Sequence, residues 1–208
     1  MNKSMCGVTA AALAGVLATA GCGKAKPSTA DSAAPAAAAN ANANGGIVYS
    51  AADVAFMQGM IGHHAQALVM AEMAPTHGAN PQVLTLCKKI DISQRDEINM
   101  MRQWLADRKQ TVPDSTKPMA MLMPGMLSPA QLDSLAASRD TTFDRLFLTF
   151  MIQHHEGALK MVKDLFASTG GGQSPELFRY ASDVDADQRA EINRMQQMLN
   201  TSSGSRAQ

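Results

Sequence analysis

Aromatic residues are scarce in this 208-residue chain, at six Phe, two Tyr and one Trp. One-signed charge is absent too: 18 basic and 18 acidic residues cancel, so neither nucleic acid nor an acidic membrane surface is the expected partner. No stretch alternates convincingly with period two, which argues against a sheet. No nucleophile-plus-base arrangement stands out, and Gly170-Gly171-Gly172 lacks the preceding strand of a phosphate loop, so it reads as a linker. Cysteine is rare, at three residues. Cys6 and Cys22 lie in an export leader and at its end, which leaves Cys87 without a disulfide partner even in an oxidising compartment. A lone Cys in a helical pattern is most often a small buried apolar residue.

Methionine, by contrast, is abundant, at 16 residues. The beginning of the chain reads as an export signal over residues 1–21, with Lys3 and then an apolar stretch from Val8 to Leu17 too short for a stable anchor. Leu17-Ala18-Thr19-Ala20-Gly21-Cys22 resembles a lipobox, with Cys22 the lipidated residue and Thr19 where Leu is usual. Ala18-Thr19-Ala20 also satisfies ordinary signal cleavage, so a freely soluble product is the competing expectation. Residues 22–48, rich in Ala, Asn, Pro, Ser and Gly, read as a flexible lipid tether.

From Ser50 the pattern is helical, and the expected domain covers 49–200 with a disordered tail over 201–208. Ser50 or Asp53 can cap a helix from about Ala51 to Ala74, stopped at Pro75. Asn80-Pro81 opens a second, running to about Arg108. Ser128-Pro129 opens a short one to about Ala137, followed by a longer one from Thr141 to Ala167. Ser174-Pro175 opens the last, to about Asn200. The halves repeat: Phe56 to Met70 aligns with Phe147 to Met161. Gln94-x-x-Glu97-Ile98-x-x-Met101 likewise aligns with Gln188-x-x-Glu191-Ile192-x-x-Met195. The expectation is an all-α four-helix bundle of two similar hairpins, about 51–108 and 129–200. A Met-rich connector over 109–128 and the short extra helix lie between the long helices.

Four of the five histidines sit in two blocks, Met60-Ile61-Gly62-His63-His64 and Met151-Ile152-Gln153-His154-His155. Met70 and Met161 follow at equal spacing. Imidazole with thioether suits soft or borderline metals, copper above all, with other transition metals as alternatives. On an ideal helix, His63 and His64 fall about 60° to one side and about 40° to the other of Met60. Adjacent histidines therefore cannot converge on one point, and each serves a different site or neighbour. Ala67 and Ala158 leave room beside them. Glu97 and Glu191 share an inward stripe with Met101 and Met195, where an unpaired carboxylate would be costly, so each should meet a histidine or a metal. The bland alternative is a polar layer of His–Glu hydrogen bonds fixing helix register. His77, without a counterpart in the second half, reads as a surface residue. Met119, Met121, Met123 and Met126 add four thioethers in a Pro- and Gly-punctuated connector, a set suited to Cu(I) if it is not simply folded over the bundle.

The doubled Met-Ile-x-His-His-x-x-Ala-x-x-Met, together with Met123-Pro124-Gly125-Met126 and Phe143-Asp144-Arg145-Leu146-Phe147-Leu148, resembles the bacterial domain-of-unknown-function family 305 over about Ala51 to Leu199. The resemblance implies a ferritin-like four-helix bundle and, from some periplasmic members, copper binding and a part in copper resistance. It makes Met60, His63, His64, Met70, Met151, His154, His155 and Met161 the candidate ligands, joined by Met123 and Met126. His64-Ala65-Gln66-Ala67 departs from His155-Glu156-Gly157-Ala158, so the two sites need not be equal. The leading functional expectation is a tethered envelope protein that sequesters or carries copper without turnover. Homodimerisation and a metal-transfer partner in the envelope remain open. A ferritin-type metal-oxidising enzyme is the alternative, although no histidine here has a Glu three residues before it. The third reading is a structural or partner-binding lipoprotein with His pairs as a polar core.

Overall fold

A computed structural model describes the backbone of residues 49–114 and 123–204, with side chains to Thr201. The expected export signal, the tether with Cys22, and Met119 and Met121 lie outside the described residues. Five helices follow in order: α1 (Ala51–Met73), α2 (Pro81–Asp107), α3 (Pro129–Ala137), α4 (Asp140–Ala167) and α5 (Pro175–Gly204). A single 3-10 turn, Ala74–Thr76, follows α1. The described residues thus form an all-α protein.

Local chemistry sets the helix ends. Ser50 and Asp53 form a reciprocal capping box at the start of α1, which satisfies two backbone donors the helix itself cannot. Asn80 caps α2 ahead of Pro81, and Ser128 with Gln131 boxes the start of α3 ahead of Pro129. Ser174 accepts from the Leu177 N–H as α5 begins. Proline costs nothing at these first positions because its missing N–H would have no partner. Four limits differ from expectation: α1 and α2 each end one residue sooner, at Met73 and Asp107. α4 starts one residue early, at Asp140, which has φ +52°. α5 runs on to Gly204, past the Asn200 at which the bundle was expected to end.

α1 packs along α2, α4 packs along α5, and the two hairpins meet through α1 and α4. Two apolar clusters fill the interior. One gathers Met57, Met60, Met101, Trp104, Met161 and Tyr180 from all four long helices. The other gathers Met70, Leu86, Phe143, Phe147, Met151 and Met195. His63, His64, His154 and His155 are fully buried and belong to neither cluster. No helix among the described residues is long and apolar enough to cross a membrane.

His77 requires a correction. It is not a surface residue but buried at 8% exposure, with Nε2 hydrogen-bonded to the Ala136 carbonyl at 2.9 Å and its ring against Phe143. Its own carbonyl accepts from Asp140 N–H at 2.8 Å, so the 3-10 turn ties the first hairpin to the start of α4. The loop's proline spacing signalled a turn but gave no sign of this tertiary partner.

A buried histidine layer and its candidate metal centre

α1 and α4 run antiparallel, which brings the two His-His blocks face to face at mid-height. The His63 and His154 rings lie 3.8 Å apart between centroids. Their chain neighbours turn away, with ring separations of 6.4 Å for His63–His64 and 6.3 Å for His154–His155, as adjacent helix positions require. Each outer histidine meets the carboxylate of its own hairpin partner. His64 Nε2 is 2.5 Å from Glu97 Oε2, and His155 Nε2 is 2.8 Å from Glu191 Oε2. Both inward glutamates thus find a histidine. Lys89 Nζ approaches the other Glu191 oxygen at 3.3 Å. Burial pulls the Glu191 carboxyl upward, but His155 and Lys89 outweigh it and leave its pKa lowered.

Nδ1 of His64 and of His155 has no hydrogen-bond partner, and the central pair lacks a carboxylate as well. His63 Nε2 donates to the Pro124 carbonyl at 3.0 Å, while its Nδ1 has no hydrogen-bond partner. Burial, then the neighbouring His64, drives the His63 pKa from 6.5 down to about 3. His154 has no partner at either ring nitrogen. Burial, followed by His63 and His155, holds its pKa well below the ordinary value against a smaller opposing effect of the His63 backbone. Two neutral imidazoles therefore face each other with three unpartnered nitrogens. A neutral imidazole ligates a metal without first losing a proton.

The candidate methionines divide between the two ends of this layer. Met60 and Met161 share one apolar cluster, with Met101 and the partly buried Met123. Met70 and Met151 share the other, with Met195. The two methionines of one block are ten residues apart, about 15 Å along a helix, so no single ion can use both. Each finds its counterpart in the opposite block. At one end Gly59 leaves the gap: a Cβ there would lie 3.3 Å from Met161 Cε and 3.5 Å from Met123 Sδ. Met126 Sδ accepts from the Met123 N–H at 3.4 Å. Among the described residues no three His, Cys, Asp or Glu side chains converge as a ligand set. Any such set must include thioethers or other donors.

Three sets of residues were passed over in the sequence. The Pro124 carbonyl is one, and no side-chain pattern announces a backbone acceptor. Gly125 and Gly157, whose contact seats that carbonyl, are the second. The third is Gln94 and Gln188, buried at 1% and 4% exposure, with no partner for Gln94 Oε1, Gln94 Nε2 or Gln188 Oε1. The repeat that picked out Glu97 and Glu191 already contained these two glutamines.

The family sequence model described as Domain of unknown function (DUF305) matches residues 53–199. The chain belongs to the DUF305 family. A DUF305 fragment from Deinococcus radiodurans is 31% identical with a TM-score of 0.65, covering 74% of this chain and 98% of its own. A DUF305 protein from Streptomyces coelicolor, named as secreted, is 27% identical with a TM-score of 0.64, covering 72% and 93%. CopM in its Cu(II)-bound form is 31% identical with a TM-score of 0.60, covering 72% and 96%. Among curated proteins, an uncharacterized protein of Acanthamoeba polyphaga mimivirus is 37% identical over 57 residues, 27% of this chain. That match spans 38% of the viral protein's length.

Proposed function

We propose that this DUF305 protein binds copper in the bacterial cell envelope and sequesters or carries it without turnover. The observation that carries the reading is the His63–His154 pair, buried, neutral and facing, with three ring nitrogens unpartnered. Leaving such groups unmade in an interior is expensive, and a metal ion is the partner that suits imidazole nitrogen beside thioether sulfur. In this reading His63 and His154 are the central ligands. Met60, Met161 and Met123, with Met101 near them, supply sulfur at one end; Met70 and Met151, with Met195, supply it at the other. Met119, Met121 and Met126 extend the supply through the connector. Glu97 and Glu191 orient His64 and His155, as partners beyond the ligands commonly do.

Similarity to CopM, which is known in Cu(I)-bound and Cu(II)-bound forms, supports copper in either oxidation state. Export is supported by the apolar leader and by likeness to a protein named as secreted. Attachment through a lipid on Cys22 follows from the lipobox, and residues 22–48 would give the domain reach from the membrane. Copper held in this way would pass to or from an envelope partner, or be shared between two copies of the chain.

Titration of the purified domain with Cu(I) and with Cu(II) tests the reading directly. The double variant His63→Ala/His154→Ala should lose bound copper; retention of the full complement overturns the assignment. A structural role is the second reading, favoured by the completed His64–Glu97 and His155–Glu191 hydrogen bonds. It expects a melting temperature that copper does not move, because a ligand specific to the folded state must raise it. A ferritin-type oxidase draws less support, since each candidate carboxylate is already engaged by its own histidine.

A further inference from the structure

Gln94 and Gln188 occupy equivalent places in the two hairpins, each one helical turn before the glutamate that holds an outer histidine. Along α2 the inward stripe runs Gln94, Glu97, Met101, from amide to carboxylate to thioether. α5 repeats it with Gln188, Glu191, Met195. Both glutamines are more than nine-tenths buried. Gln94 leaves its amide oxygen and nitrogen unpartnered, and Gln188 leaves its oxygen unpartnered. A buried amide with nothing to bond is a standing cost to the fold. Finding it twice, at repeat-related positions beside the histidine layer, points to a ligand rather than to loose packing.

We infer that Gln94 and Gln188 are oxygen donors for the oxidised ion, Cu(II), taken up by the histidine layer. The inference rests on the copper reading above and deepens it. An amide oxygen is a harder donor than a thioether, and Cu(II) favours nitrogen and oxygen where Cu(I) favours sulfur. The interior then offers two donor classes: imidazole and amide for Cu(II), and clustered methionine thioethers for Cu(I). Cu(II) and Cu(I), each supplied as such, would then prefer different donors in the same interior.

The test uses Gln94→Leu, Gln188→Leu and the double variant in the full chain, with Cu(II) and Cu(I) affinities measured separately. Each leucine variant should weaken Cu(II) binding at least tenfold and alter the Cu(II) paramagnetic resonance spectrum. Cu(I) affinity should stay within about twofold. Metal-free variants should melt no lower than the parent, because each has lost an unpartnered buried amide. Gln94→Met, which preserves volume and replaces oxygen with sulfur, should shift preference toward Cu(I). Unchanged Cu(II) affinity, an equal loss of both ions, or a lowered melting point without metal overturns the inference. If the parent binds Cu(II) and the variants bind it equally well, only the role of the glutamines fails. If the parent takes up neither ion, the copper reading fails with it.

Discussion

Gly157 of α4 lies flush against Gly125 of the connector, with no room for a side chain on either. A Cβ on Gly157 would sit 1.9 Å from the Pro124 carbonyl oxygen and 2.6 Å from Gly125 Cα. Gly125 itself has φ +76°, at the third position of a turn closed by Met126 N–H to Met123 O at 3.2 Å, where glycine is the favoured residue. This contact delivers the Pro124 carbonyl to His63. It also accounts for the mismatch between the repeats. Where the second half has Gly157, the first has Gln66, whose amide bonds both the Leu127 N–H and the Leu127 carbonyl. Where the first half has Gly62, the second has Gln153, which donates to the Gly125 carbonyl. One connector must dock on two similar helices, and the differences at 62/153 and 66/157 are among the contacts that seat it.

Gly157→Ala should therefore dislodge residues 123–127 and release His63 Nε2 from Pro124. Overpacking of this kind costs about 1–3 kcal/mol, measurable by chemical denaturation. Glu156→Ala, one residue away and exposed, should stay within about 0.5 kcal/mol. The His63 ring proton, followed by nitrogen-15 NMR, should lose its protection in the first variant and keep it in the second. Equal behaviour of the two variants would contradict the seating role.

Breaking either outer pair should cost stability with or without metal. Glu191→Ala strands His155 Nε2, a fully buried atom whose partner is Glu191. An unsatisfied buried group of this kind costs about 1–3 kcal/mol. Glu97 is more open, with 22% of its side chain exposed, so water can replace it and Glu97→Ala should cost less. Urea midpoints for the two variants check the order, and the reverse order would mean that burial is not what sets the value of these bonds.

The helices and their caps were legible because each rests on local chemistry: Ser50 with Asp53, and Asn80, Ser128 and Ser174 each before a proline. The histidine layer was legible in part. Helix geometry alone separated His63 from His64, and the placement of Glu97 and Glu191 on an inward stripe called for a histidine or a metal, of which each meets the histidine. Periodicity could not assign Met60 and Met70 to opposite ends, because that follows from the antiparallel run of α4 beside α1. Nor could it find the Pro124 carbonyl, since the docking of a connector is a tertiary event. His77 failed for the same reason: its partners, Ala136 and Phe143, lie about sixty residues on.

Cys87 should take no part in metal uptake. It is 4% exposed, and burial, followed by the charge of Asp144, pushes its thiol up to about 12. The thiolate is the form that ligates and reacts, and almost none exists near neutral pH. Iodoacetamide should leave the native protein unmodified and label it fully in denaturant, and Cys87→Ala should bind the same amount of copper as the parent. Rapid labelling of the native protein, or copper lost with the thiol, would show that the helix pair opens or that sulfur of a second kind contributes.

Acid should destabilise the metal-free fold well before its carboxylates titrate. In the unfolded chain His63 takes up a proton near 6.5, whereas in the fold it does so only near 3. Between those values the unfolded state holds the extra proton, so stability rises with pH. The contribution is complete above about pH 6.5 and is lost progressively as the pH falls toward 3. For His63 alone the full span corresponds to something on the order of 5 kcal/mol. His154, lowered in the same direction by the same burial, steepens the fall. The lowered Glu191 carboxyl adds a further loss at more acidic pH, where its protonation weakens the bond to His155. Melting temperatures of the metal-free domain from about pH 8 to about pH 4 should therefore decline steadily from just below neutrality. The decline should flatten in His63→Ala/His154→Ala, which has no buried imidazole at the centre to protonate. A profile flat to about pH 4.5 in the parent would mean that the central rings reach solvent, and the neutral facing pair would no longer describe the interior.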